Sequence, residues 1–345
     1  MTYSGPVIDT HHHIWLRKDV AWLADPPIPR MFGDYFGIRR DYPVEEFIND
    51  VKPQGVTKSV HVTAMWGPGK ALEETRWLQS VADKHGFPQG IVSNIDLADP
   101  EVEAAIKAQK KFPNLRGVRQ MLYWDADPVR QGARRADFCN SPDFRRGFAL
   151  LERQGLHFEL QVYAGQANHA VELIKAFPGV KMILVHAGML TARTQAAIDQ
   201  WRAALMMMAA FPNLHVKISG LGMYSSGITL PQARQVIRDV IQIFGAERTI
   251  YGSNFPLEKL HASYADFFGI YRTVLSEYTE AEQRAVLHDN AAKILPRLMS
   301  SEPHGGAVQV VFVGPLDLDG RDLADSQGSA ACNIDGAVDL GGIGD

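Results

Sequence analysis

Eight short runs rich in β-branched and other apolar residues recur along the chain, and between successive runs lies a segment long enough for a helix. The runs fall at residues 7–15, 59–63, 90–95, 115–119, 157–162, 180–186, 214–219 and 248–254. Strands that alternate one for one with helices pair in parallel, because each helix carries the chain back to the edge where it began. Eight such units over about 290 residues fit a closed (β/α)8 barrel of the TIM type. An open doubly wound sheet is the competing arrangement, but no GxGxxG loop follows an early strand here. The spacing predicts closing helices at 264–278 and 279–298, hence a barrel domain over residues 1–298. Beyond it, residues 301–345 carry nine glycines, seven aspartates and one basic residue, Arg321, without a helical period. Residues 299–345 therefore read as a disordered tail.

A parallel barrel gathers the ends of all its strands at one mouth, so the residues closing each run are the candidates for chemistry. The first run closes on Asp9-Thr10-His11-His12-His13. Read as a regular strand, it places Asp9, His11 and His13 on one face and His12 on the other. Two neutral imidazoles about 7 Å apart can converge on one metal ion or one polar substrate. The other strand ends contribute His61, Arg119, Gln161 with Tyr163, His186, Lys217 and Asn254. His186 ends an almost wholly apolar strand, a position suited to a ligand or a base. Arg119 can hold a carboxylate with two parallel hydrogen bonds, Lys217 can stabilise an oxyanion, and Gln161, Tyr163 and His61 can line a substrate site. The long aromatic- and proline-rich stretch at 15–43 reads as a lid or pocket wall, since connections of this length seldom lack a function.

The overall charge narrows the partner. Thirty-five basic against 39 acidic residues leave −4, which gives no reason to expect nucleic acid or an anionic membrane. A small, anionic molecule is the expected partner, and the oligomeric state stays open. Cys139 and Cys332 stand too far apart in sequence for a CxxC zinc or redox motif. No apolar run reaches 18 residues and no signal segment precedes the first strand, so the expected location is the cytoplasm.

Five segments together carry a resemblance: 9–15 (DTHHHIW), 115–120 (LRGVRQ), 184–186 (LVH), 216–221 (VKISGL) and 251–256 (YGSNFP). In order and spacing they resemble the amidohydrolase-related barrel hydrolases, and more closely the branch of sugar-acid lactonases and 2-pyrone-4,6-dicarboxylate lactonase. The resemblance covers residues 5–298. It implies that His11, His13 and His186 line the site as metal or substrate ligands, and that Arg119 meets a substrate carboxylate. It also implies a general base at the end of the last strand, where the family has Asp and this chain has Asn254. An amide is neutral and a very weak base, so Asn254 can orient water but cannot take its proton.

The expectation is thus a hydrolase that opens a small lactone, with His186, Asn254 and Lys217 catalytic. A divalent metal, zinc first, would sit on His11, His13 and His186; a metal-free histidine mechanism is the other form of the same reading. A zinc-dependent decarboxylase of the same superfamily and a non-catalytic small-molecule-binding barrel are the alternatives.

Overall fold

The computed structural model describes residues 2–295; the expected domain boundary at 298 and the tail at 299–345 lie outside them. Eight strands form one sheet in sequence order, every neighbouring pair parallel. They are β1 (Val7–His12), β2 (Val56–Val62), β3 (Gly90–Asn94), β4 (Leu115–Arg119), β5 (His157–Leu160), β6 (Met182–Leu184), β7 (Leu214–Ile218) and β8 (Thr249–Tyr251). The ring closes just past β8, where His12 bridges Phe255 and the Asn254 N–H donates to the His11 carbonyl at 2.6 Å. A TIM barrel is therefore the observed architecture.

The helices are α1 (Ala21–Ala24), α2 (Val44–Val51), α3 (Ala71–His85), α4 (Val102–Gln109), α5 (Pro142–Gln154), α6 (Ala167–Ala176), α7 (Gln195–Ala209), α8 (Leu230–Phe244), α9 (Tyr264–Leu275), α10 (Glu280–Arg284) and α11 (Asn290–Ile294). Their starts follow local chemistry. Ser141, Thr194, Ser263 and Thr279 each accept a hydrogen bond from a backbone N–H in the first turn of the following helix, which satisfies a donor the helix itself leaves unpaired. The helices bury an apolar stripe against the outside of the sheet; on α8 this comprises Ala233, Val236, Ile237, Val240, Ile241 and Phe244.

Inside the barrel, Ile8, Val60, Val62, Val92, Ile183 and Ile250 form a separate apolar cluster with Ala291, Ile294 and Leu295. The final described helix thus plugs one end, and the polar strand ends occupy the other.

β1 departs from the regular alternation expected of it. Its pairing with β2 slips between Asp9 and His12, three residues on β1 facing two on β2. Such a bulge resets the facing of every later side chain. His11 and His13 point into the mouth, whereas Asp9 turns to the helix layer, where its carboxylate accepts from the Tyr264 hydroxyl (3.0 Å) and from the Ser253 and His11 N–H groups (2.9 and 3.1 Å). Asp9 therefore does not share the face of the two histidines. It ties β1, β8 and α9 together.

Candidate active site

A cavity of about 490 Å³ opens at the mouth of the barrel. Its floor is made by His13, Arg119, Gln161, His186 and Asn254. Trp15, Trp22, Pro26, Ile28, Arg30, Met31 and Phe32 supply one wall, all from the loop after β1, while Met65, Met121, Tyr123 and Met223 supply others. Within the 15–43 stretch, residues between Trp15 and Phe32 therefore form a pocket wall. The Trp22 indole N–H anchors it by donating to the Ala64 carbonyl at 2.9 Å.

The sequence candidates divide into two groups. His13, Arg119, Gln161, His186 and Asn254 reach the cavity. His11 lies just beneath, its ring 5.3 Å from that of His13 and 4.7 Å from that of His186. Lys217, His61 and Tyr163 are not among the cavity-lining residues. The His61 Nε2 sits 3.3 Å from the Ile14 carbonyl, and the Tyr163 hydroxyl faces the sulfur of Met31. The Lys217 ammonium is fully buried and already takes three acceptors: the Thr10 carbonyl at 2.8 Å and both oxygens of Glu159 at 2.7 and 2.8 Å. Its three donors are spent. Lys217 is therefore a buried cation beneath the site, and it does not reach an oxyanion in the cavity. Glu159 had no motif to announce it, since it lies inside the 157–162 run, before the strand end.

Backbone strain concentrates at these strand ends. His186 and Asn254 adopt φ of +54° and +62°, a left-handed conformation that costs a non-glycine residue of order 1–3 kcal/mol and persists only when its surroundings enforce it. The enforcement at His186 is visible. Its Nδ1 lies 3.0 Å from the Ser219 hydroxyl, and the adjacent Gly220 has φ +60° with a hypothetical Cβ only 2.5 Å from that same nitrogen. Serine and glycine after β7 are what allow the imidazole to lie there.

Electrostatics keep the histidines neutral. Burial lowers His11, His13 and His186 far below the usual imidazole range, and the positive charges of Arg119 and Lys217 push the same way; His13 falls to about 3. The His13 Nδ1 is 2.6 Å from the Val62 carbonyl, which can only accept, so the proton of the neutral ring sits on Nδ1 and Nε2 is left as a bare acceptor. Arg119 is 4% exposed and forms no ion pair among the described residues; one Nη donates to the Thr63 carbonyl at 2.6 Å and Nε has no partner. The Gln161 Oε1 is likewise buried without a partner.

The expected divalent-ion site on His11, His13 and His186 is not assembled by these side chains. Among the described residues no three His, Cys, Asp or Glu groups stand so as to hold a metal ion. The charge offers little help as well: Arg119 is a fixed cation without an ion pair among the described residues, the Glu159 carboxylate is consumed by Lys217, and the β8 end offers an amide in place of a carboxylate.

A buried carboxyl that the sequence did not flag lies four residues after Asn254, outside the cavity lining. Glu258, 1% exposed, accepts from the Gly222 N–H at 3.2 Å. Burial raises its carboxyl to about 8.

Residues 8–297 match the family model described as Amidohydrolase. A relative from Sinorhizobium fredii, the uncharacterized protein y4mH, is 36% identical, with 83% of this chain and 97% of that protein covered. L-fucono-1,5-lactonase from Burkholderia multivorans is 28% identical, covering 83% and 94%. A solved amidohydrolase from Burkholderia multivorans with bound zinc superposes with a TM-score of 0.72 at 26% identity, covering 85% of this chain and 99% of that one. Among the described residues no helix is long and apolar enough to cross a membrane.

Proposed function

This chain belongs to the amidohydrolase family, and from that premise we propose that it is a lactonase that opens a small, anionic cyclic ester without a metal ion. One observation carries the choice of substrate: Arg119, a guanidinium almost wholly buried, faces the cavity with unused donors and no carboxylate paired to it. A buried cation left unpaired is costly. A carboxylate arriving with the substrate removes that cost and is held by charge-assisted hydrogen bonds.

The neighbouring groups suit ester opening. His13 presents a bare Nε2 to the cavity and can draw the proton from an attacking water. Its low basicity is largely set by burial and by Arg119, so an anion bound at Arg119 raises it. Asn254 orients the water, Gln161 accepts from a substrate hydroxyl, and the proton taken up by His13 passes to the ring oxygen as its bond to the acyl carbon breaks, beside His186, which is tied to Ser219. The aromatic and methionine wall covers the apolar face of the ring and limits access of bulk water.

The test is a panel of neutral aldonolactones and carboxylated lactones, with acid release followed by a pH indicator and metal content measured on the same sample. Ring opening is expected for carboxylated members, at rates that do not scale with metal content. Failure with every lactone would overturn the proposal. Equal rates for neutral and anionic members would remove Arg119 from it.

A further inference from the structure

We propose that the substrate of this site carries an apolar group beside its carboxylate: a lactone acid with an alkyl or aryl substituent, not the ring of a polyhydroxylated sugar acid. The inference deepens the lactonase reading and rests on it for the reaction, while the recognition it describes is a property of the cavity alone. Free polar atoms gather on the floor. There the Arg119 Nε, the Gln161 Oε1 and the Asn254 Nδ2 are buried without a partner, beside the bare Nε2 of His13. They are enough for one carboxylate, one ester and the attacking water.

The walls are different. Ile28, Met31, Phe32, Met65, Met121 and Met223 all line the cavity. Ile28 is 55% exposed, and Met31, Phe32, Met65 and Met121 are half-buried. Apolar surface that the protein's own packing leaves uncovered is thus gathered round one cavity. Polar groups set among these side chains are mostly engaged. The Thr63 hydroxyl donates to Glu74 at 2.7 Å, and the Gln131 Nε2 donates to the Asp125 carbonyl at 2.8 Å. The Arg30 guanidinium lies over the Trp22 ring, 5.6 Å from its centroid. Arg30, Tyr123 and the exposed Asp25 are what remains. The wall is also held in place, because the Tyr224 hydroxyl donates to the Met31 sulfur at 3.2 Å.

A sugar acid carries a hydroxyl on nearly every carbon. Each one pressed against this wall gives up its water without a replacement partner, which is unfavourable. An alkyl or aryl group meets the same wall at a gain, about fourfold in affinity for each methylene taken out of water. Size agrees with this. The cavity, at about 490 Å³, falls in the range of roughly 300–1,000 Å³ that encloses drug-sized ligands, more than a bare lactone ring with one carboxylate fills. With the carboxylate held at Arg119, the rest of the molecule has only the wall to meet.

The experiment uses the full chain and measures binding before turnover. Acetate, butyrate, hexanoate and gluconate are titrated against tryptophan fluorescence, since Trp15 and Trp22 lie in the lining. From acetate to hexanoate the Kd is expected to fall about threefold to fourfold per methylene. Gluconate, which is the hexanoate chain with a hydroxyl on every carbon beyond the carboxylate, should bind at least about tenfold more weakly than hexanoate. Ile28→Gln, at an exposed position where folding is not at risk, and Met121→Gln should each make the dependence on chain length shallower. A Kd that does not fall with chain length, gluconate binding as tightly as hexanoate, or a slope that survives both substitutions would overturn the proposal. Turnover separates it from the reading it builds on. A steep series without hydrolysis of any alkyl-substituted lactone acid would sink the lactonase reading alone, leaving an apolar acid as the ligand of the cavity. Sugar-acid lactones opened as fast as alkyl-substituted ones would overturn the proposal and leave the lactonase reading standing.

Discussion

The Lys217 ammonium and the Glu159 carboxylate face each other at 2.7 Å in the barrel interior, the former wholly buried and the latter nearly so. His157 lies 3.3 Å from the same carboxylate, so the pair is part of a three-group network under the cavity floor. Removing one partner strands the other charge away from water. Lys217→Met is therefore expected to destabilise the fold by about 3–5 kcal/mol, and Lys217→Met with Glu159→Leu by much less. Urea denaturation checks both. Burial works to raise the Glu159 carboxyl, but Lys217 and His157 outweigh it and hold it at about 2. This stabilisation is present above the unfolded carboxyl pKa and is lost as pH falls through about 2.

Arg119→Met should weaken carboxylated substrates and spare neutral ones. A charge-assisted contact at a buried guanidinium contributes on the order of 1.5–3 kcal/mol, which corresponds to roughly a tenfold to hundredfold rise in KM. Steady-state kinetics on matched lactones, with and without a carboxylate, provide the measurement. Equal losses for both would assign Arg119 to the architecture.

Glu258 gives a stability signature with the opposite sign to Glu159. Its folded carboxyl, raised by burial from 4.5 to about 8, holds a proton that the unfolded chain releases. The unfolded state then binds fewer protons between those values, and stability falls as pH rises from about 4.5 to about 8. The span corresponds to a few kcal/mol on the scale of about 1.4 kcal/mol per pH unit. Glu258→Gln should flatten that slope, and melting temperatures across the range will show whether it does.

Exhaustive dialysis against a chelator should leave activity and melting temperature unchanged. The reason is the charge of the floor, where Arg119 is, among the described residues, an unpaired cation and the Glu159 carboxylate is already taken by Lys217. Elemental analysis before and after dialysis decides this. Activity lost with the metal and regained with zinc would contradict the metal-free reading.

The barrel and its mouth were legible in the sequence because both depend on periodicity. Eight apolar runs separated by helical segments admit few topologies, and a parallel ring sends every strand end to one side. His13, Arg119, Gln161, His186 and Asn254 were recoverable in this way, each being the last polar residue of, or just after, its run. What periodicity could not supply was direction at a bulge and partnership at a distance. Asp9 was expected beside His11 and His13, yet one extra residue in β1 turns it to Tyr264. Lys217 stood at a strand end like the others, but 58 positions away Glu159 claims its ammonium. Glu258 lies in a loop with no strand to point it, and only the return of the chain after Asn254 turns its carboxyl inward to the Gly222 N–H. Local pattern determined which residues approach the mouth, since side-chain alternation is a property of the strand itself; tertiary packing decided which are free to act, since burial and pairing depend on neighbours that the sequence does not place side by side.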